Sequence, residues 1–335
     1  MSGPTLEPMP FASSGRRGLW RQRLIAALAP FMGLIVVVAI FSVIAREHPL
    51  TMLNVQTICV HMVIVGIAAM GMTFIIISGG IDLSVGSAIA LTSVAVALAF
   101  KQGHQPPLVL GLALAVGALC GLYNSLLITV LRLPPFIATL GTMGFYRGLA
   151  KWISGSMPVT APTHGLEHWV QPVPRQEWLP LAPAVWLVLL LGIVLALVLR
   201  YTILGRYTFA IGSNEATARL CGIRVPRVKV CIYALAGVLT GLAGFMQFAR
   251  LTQGDPTVAA GLELDVIAAV VIGGGSLAGG QGSMFGTLAG AILMAYLRNR
   301  CTVLGWSNFT QEMIVGHIII VAVAVDQWRM RRALR

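Results

Sequence analysis

Apolar runs of helix length, separated by short polar or glycine-rich breaks, fill most of the chain. A run of about 17–25 apolar residues can cross a bilayer as a helix. Ten runs qualify or come close, at 24–45, 55–77, 85–100, 108–130, 136–150, 181–200, 229–249, 264–276, 283–297 and 311–327. Several are short or interrupted by glycine. The pattern predicts an all-α, polytopic membrane protein with about ten transmembrane helices, some short or broken. The domain plan is a basic tail at 1–23, a membrane domain at 24–328 and a second basic tail at 329–335. Within the membrane domain, polar loops fall at about 151–180 and 201–228. The segment before Leu24 does not read as a cleaved leader, because a span-length apolar run follows and no A-x-A-like site is present. Residues 1–15 are polar enough to be a disordered tail.

Two breaks stand out. The first, Ile77-Ser78-Gly79-Gly80-Ile81-Asp82-Leu83-Ser84-Val85-Gly86, puts a carboxylate between two spans. An ionisable group at membrane depth costs about 2.5–3.5 kcal/mol on insertion scales, so it needs a reason. The expected reason is that Asp82, with Ser84 as the alternative, caps the next span and shapes the loop. The other reading is a carboxylate working in a gate. The second break, Gly273-Gly274-Gly275-Ser276-Leu277-Ala278-Gly279-Gly280-Gln281-Gly282, is equally irregular. Such backbone is tolerated at membrane depth where protein or water covers it, so both breaks are candidate walls of a substrate path. The candidate gate residues are therefore Gly79, Gly80, Asp82, Ser84, Gly86, Gly273, Gly274, Gly275 and Ser276. Glu263 and Asp265 open the eighth span and are candidates for its outer mouth.

Composition sharpens the class. Only 10% of the 335 residues are charged and 57% are hydrophobic, with mean hydropathy +0.86. Soluble domains carry about 25% charged residues. The formal charge is +12, with 23 basic residues. With both termini cytoplasmic, the inside segments hold Arg16, Arg17, Arg21, Arg23, Arg132, Arg200, Arg206, Arg219, Arg224, Arg227, Lys229, Arg329, Arg331, Arg332 and Arg335. That is 15 of the 23, against 8 elsewhere. The positive-inside rule favours this orientation. The charge then belongs to topology and anionic lipid headgroups, and gives no reason to expect nucleic acid.

The most basic loop has its own logic. Ser213 or Asn214 can cap a helix. Glu215 suits its first turn and Arg219 its last, four residues apart in the favourable order. Gly222 suits the left-handed position after it, and Pro226 blocks continuation. A helix of about two turns is expected. Being too short to stand alone, it must dock on something, and a soluble motor subunit is one candidate. Small residues also recur four apart at Gly117/Gly121, Gly237/Gly241 and Gly282/Gly286/Gly290, a spacing that lets helix backbones approach in lipid.

This loop, together with Leu262-Glu263-Leu264-Asp265 running into Ile272-Gly273-Gly274 and with Gly79 to Gly86 upstream, resembles the permease subunit of ribose/galactose/arabinose-type sugar ABC transporters. Phe136-Ile137-Ala138-Thr139-Leu140-Gly141 and Arg147-Gly148 fit the same pattern, and the resemblance covers about residues 54–326. It implies a bacterial inner-membrane pore made with a second permease copy or a paralogue. It also implies a cytoplasmic ABC ATPase and a periplasmic sugar-binding protein as partners. The docking stretch, Ser213, Asn214, Glu215, Ala216, Arg219, Leu220 and Gly222, matches the family's ATPase-contacting loop. Asn299-Arg300-Cys301 departs from the usual Asn-Asn-Gly, and His317 stands where an apolar residue is usual.

Other chemistry is thin. No G-x-x-x-x-G-K-[ST] occurs, so the chain is not expected to be an enzyme or to hold a cofactor; ATP would be used by the partner subunit. The five cysteines, at 59, 120, 221, 231 and 301, form no C-x-x-C pair and suggest neither disulfide nor metal. His164 and His168 with Glu167 could ligate a metal but read better as a solvated loop. Ser276 and His317 could be imagined as a protease dyad, yet Gly274-Gly275-Ser276-Leu277-Ala278 misses G-x-S-x-G. An ion-coupled carrier is disfavoured because charged residues cluster at span ends.

Overall fold

The computed structural model describes residues 51–175 and 178–333. The tail at 1–23, the expected span at 24–45 and the last two residues of the C-terminal tail lie outside the described residues. The helices are α1 (Met52–Ile77), α2 (Val85–Lys101), α3 (Pro106–Thr129), α4 (Pro135–Ser154), α5 (Pro183–Tyr201), α6 (Ile203–Ser213), α7 (Glu215–Leu220), α8 (Val225–Leu251), α9 (Leu262–Ile272), α10 (Met284–Val303) and α11 (Asn308–Ala333). A short antiparallel pair, β1 (Val159–Thr160) and β2 (Gln253–Gly254), is the one sheet among the described residues. Each remaining expected span has its helix, and α3, α4, α5 and α8 carry proline in the first turn, where a missing N–H costs nothing. The eighth span ends at Ile272, before the glycines, and the last two helices run past their expected ends. Residues 151–154 belong to α4 rather than to the loop after it.

Helix α1 is the axis of the bundle. It is apolar on all faces, and 94% of its most apolar stretch is buried, against 28% in α3 and 33% in α5. A helix hydrophobic all round belongs at a core, whereas α3 and α5 keep faces for lipid. Helices α5, α8, α9 and α10 pack on α1. A hydroxyl pair, Thr73 Oγ1 to Thr287 Oγ1 at 2.7 Å, ties α1 to α10 inside the core.

The glycine stripes pair with one another. Gly117 and Gly121 of α3 lie against Gly237 and Gly241 of α8, where a Cβ on Gly237 would stand 3.0 Å from Gly121 Cα. Gly286 and Gly290 of α10 likewise lie on Gly273 and Ala269 at and beyond the end of α9. Close backbone approach supplies the dispersion contacts that hold helices together where lipid removes the hydrophobic drive.

One segment departs from simple spans. After α8, residues 252–261 run back into the bundle as non-helical chain. Gly254 lies against Ser93, Val94 and Ala97 of α2, and Ala259 lies against Gly86 at the start of that helix. Only then does α9 begin. Its 11 residues cover about 16 Å, roughly half of a hydrocarbon core about 30 Å thick. The chain therefore crosses this region as a descending strand-like segment followed by a half-length helix. Below, "the β2 end" and "the α7 end" name the two ends of the bundle.

Candidate functional site

At the α7 end three pieces meet. Helix α1 stops at Ile77, with Gly79 in the left-handed region at φ 80°. The second break returns to it, Gly280 donating its N–H to the Ile77 carbonyl at 2.8 Å. Gly212, near the end of α6, is pressed against both: a Cβ there would collide with the Ile77 carbonyl and come within 2.6 Å of Gly280 N. Only glycine fits without displacing backbone. The α6–α7 loop therefore touches both glycine breaks at one junction, which ties together residues 135 and 68 positions apart in the chain.

The loop itself differs from expectation. The expected short helix is present as α7, with 6 residues, and a second helix, α6 with 11 residues, precedes it. Thr202 caps α6, accepting from Gly205 N at 3.3 Å. Asn214 caps α7, accepting from Thr217 N at 2.9 Å. Helix α6 was hidden because its buried face is only Gly205, Thr208 and Ile211, too short and too weakly apolar to stand out between spans. Glu215 pairs with Arg219 as expected and also with Lys229 on α8 at 2.8 Å, a contact that roots α7 on the bundle. Burial raises the Glu215 carboxyl, but its bonds to Lys229 and Arg219 outweigh this and hold it below the usual carboxylate range. Gly222 is left-handed at φ 83°. Ser213 and Ala216 flank the Asn214 cap. Leu220 is 89% exposed, an apolar knob left uncovered by the described residues.

Asp82 does not cap α2, which corrects the capping expectation. Its Oδ1 accepts from Ser84 N at 2.8 Å and Ser84 Oγ at 2.6 Å, closing a local turn ahead of the helix. Ser84 occupies the cap position without a side-chain cap bond. Asp82 Oδ2 accepts from Asn124 Nδ2 at 3.3 Å; that amide also donates to Ser84 Oγ at 2.9 Å. Tyr146 donates its hydroxyl to Asn124 Oδ1 at 3.0 Å. Thr139 Oγ1 accepts from Leu83 N at 3.1 Å. The first break is thus bolted to α3 and α4 by a buried network. Asn124, Tyr146 and Thr139 were not legible as partners, since nothing local in the sequence marks these residues of α3 and α4 as facing the break.

Gly86 faces Ala259 and Glu263, so the start of α2 abuts the end of the descending segment. Arg147 of α4 holds that segment from its other side, donating to Pro256 O at 2.9 Å and Val258 O at 2.6 Å. Asp265 lies one turn inside α9, 2% exposed, and accepts from Arg298 Nε of α10 at 2.6 Å. In the second break, Gly274 is left-handed at φ 90°, and Gly275 donates to Val270 O. Ser276 is buried and donates to Asp326 Oδ2 at 2.9 Å, tying the break to α11. His317 instead bonds Met313 O at 2.9 Å, so the imagined serine–histidine dyad is not assembled. His168 bonds Gln171 and His164 stacks near Phe100, and no metal-holding cluster occurs among the described residues. The five cysteines are all free.

Comparison with known proteins decides the family. Residues 54–323 match the model of the branched-chain amino acid transport system / permease component. The chain belongs to that permease family. Among its relatives, the ribose import permease protein of Bacillus subtilis (strain 168) is 42% identical over 301 residues, covering 90% of this chain and 92% of that one. The ribose import permease protein of Escherichia coli (strain K12) is 37% identical over 316 residues, covering 93% and 97%. The L-arabinose ABC transporter permease protein of Azospirillum brasilense is 33% identical over 324 residues, covering 96% and 93%. No solved structure matches. As a member of this family the protein is a multi-pass membrane transport subunit, and the glycine breaks, the descending segment and the α6–α7 loop are features of a permease.

Proposed function

We propose that this permease, with a second copy or a paralogue, forms the inner-membrane pore of an ATP-driven bacterial importer. Its cargo is a monosaccharide delivered by a periplasmic binding protein. The ATPase is a separate cytoplasmic chain that docks on α7 and the residues flanking it, Ser213 to Gly222, and both termini of the permease are cytoplasmic. The observation that carries the reading is the junction at Gly212, because a displacement of α6 pushes on Ile77 and Gly280 together. The 15-to-8 split of basic residues favours placing the α7 end in the cytoplasm. The relatives named for ribose and L-arabinose support a sugar as cargo. Helix α4 offers the face for the second permease: Gly141, Gly144 and Gly148 have open space beside them, and Phe136, Ile137 and Leu140 are exposed on the same helix.

Co-purification tests the docking. Leu220→Asp replaces the exposed knob by a charge without touching the bundle. The variant is expected at the parental level in the membrane, with at least tenfold less ATPase retained. Parental retention of the ATPase would place the docking surface elsewhere.

A further inference from the structure

A half-open cavity of about 280 Å³ sits toward the β2 end, lined by α1, α8, α9, α10, α11 and the descending segment. It is smaller than the roughly 300 Å³ at which pockets for drug-sized ligands begin, and it holds several times the roughly 30 Å³ share of one water. Its polar lining comes from five helices: His61, Gln247, Arg250, Asp265, Arg298 and Gln311. Ala259 and Ala260 of the descending segment form one wall. None of these residues belongs to the junction at the α7 end.

The lining is unusual for a membrane interior. Gln247 and Gln311 are 7% and 3% exposed. Asp265 spends Oδ2 on Arg298, while its Oδ1 is buried with no hydrogen-bond partner among the described residues. A buried polar atom left unpaired costs about 1–3 kcal/mol, more for a charged group. Here the cost is relieved if a ligand donates to Oδ1.

We propose that this cavity is a binding site for a neutral polyol of monosaccharide size. The inference rests on the transport reading above and adds to it a site within a single permease chain. Hydroxyl groups donate and accept at once, which suits a lining that offers a carboxylate acceptor, two amides and two guanidinium groups. An anion supplies no donor for Asp265 Oδ1. A cation meets two arginines against one carboxylate. An apolar molecule leaves Asp265 Oδ1 without a donor. Because Ala259 abuts Gly86 and Arg147 holds the same segment from behind, occupancy of the cavity bears directly on the descending segment.

The test uses the full-length permease alone in lipid nanodiscs, with D-ribose, L-arabinose and D-fructose as probes, read by saturation-transfer difference NMR and titration. Two variants accompany it. Ala260→Phe fills the cavity from an exposed position on its wall, and Gln247→Leu removes an amide at nearly constant volume. At least one sugar is expected to bind, with affinity falling tenfold or more in at least one variant that keeps the parental helical circular dichroism. Binding of none of the three, or weakening of less than tenfold in both variants, overturns the site. ATP-dependent uptake of the same sugars by the complete transporter in proteoliposomes separates the two readings. Uptake without binding to the isolated permease removes the cavity site and leaves the transport reading standing. Absence of uptake counts against the transport reading itself.

Discussion

Asp82 shapes its loop as expected, but by closing a turn and reaching α3 rather than by capping a helix. Its position between apolar runs made it conspicuous, and capping was the simplest use of a carboxylate before a helix. The structure instead gives it three donors, two from Ser84 and one from Asn124. These partners lie 2 and 42 residues away. The first kind is legible in a sequence and the second is not, because nothing local marks Asn124 in α3 as facing the break. The same holds for Arg298 and Asp265, or Ser276 and Asp326, where each charge or hydroxyl could be seen but its pairing could not. Asp82→Ala strands these donors and is expected to lower the thermal stability of the purified permease by about 1–3 kcal/mol for each group left unsatisfied. Asp82→Asn keeps Oδ1 as an acceptor for Ser84, so its loss should be clearly smaller; equal melting temperatures for the two variants would contradict the turn-closing role. Glu215 carries a pH prediction. Its folded-state pKa is depressed, so its contribution is present above the unfolded value and lost as pH falls through the lower folded value. The stability difference between the parent and Glu215→Gln should be constant from about pH 8 to 5 and shrink below about pH 4, given an unperturbed Glu near 4.3. A difference that changes between pH 5 and 8 would show that another group titrates in its place.

Among the elements, long apolar helices were legible because periodicity plays no part in finding them; length and hydropathy suffice. Helix α9 was placed but overextended, since Gly273 to Gly275 continue its hydropathy while breaking its backbone. Helix α6 was missed because it is amphipathic, short and joined to a better-signalled cap at Asn214. The descending segment was missed for a different reason: Gln253 to Ala260 is too polar and too short to count as a span, and only its packing against α2 puts it at depth. The glycine stripes were seen as packing faces, and their pairing, α3 with α8 and α9 with α10, needed the fold. Gly212 is the element-scale test. Gly212→Val forces α6 away from Ile77 and Gly280, an overpacking of the kind that costs about 1–3 kcal/mol. Helix α7 and Leu220 are unchanged, so the ATPase should still bind and hydrolyse, while sugar taken up per ATP falls at least tenfold. Parental uptake per ATP would show that force does not pass through this junction.

At the scale of the molecule, the account joins two ends of one bundle. The α7 end presents an exposed apolar knob on a two-helix loop whose base rests on both glycine breaks. Toward the β2 end lies a cavity with a mixed polar and apolar lining, walled on one side by the irregular segment before α9. Helix α1 runs between them as a buried core with hydroxyl and glycine contacts to its neighbours. Such an arrangement is suited to passing displacement from a soluble subunit to the irregular backbone of a path. The decisive measurement is uptake of radiolabelled D-ribose, L-arabinose or D-fructose into proteoliposomes holding this permease and its ATPase, with the binding protein added on the outside and ATP enclosed. The account predicts accumulation of at least one sugar that requires ATP, the ATPase and the binding protein together, and that falls at least tenfold per ATP in Gly212→Val. Accumulation by the permease alone, driven by an ion gradient and indifferent to ATP, would contradict it.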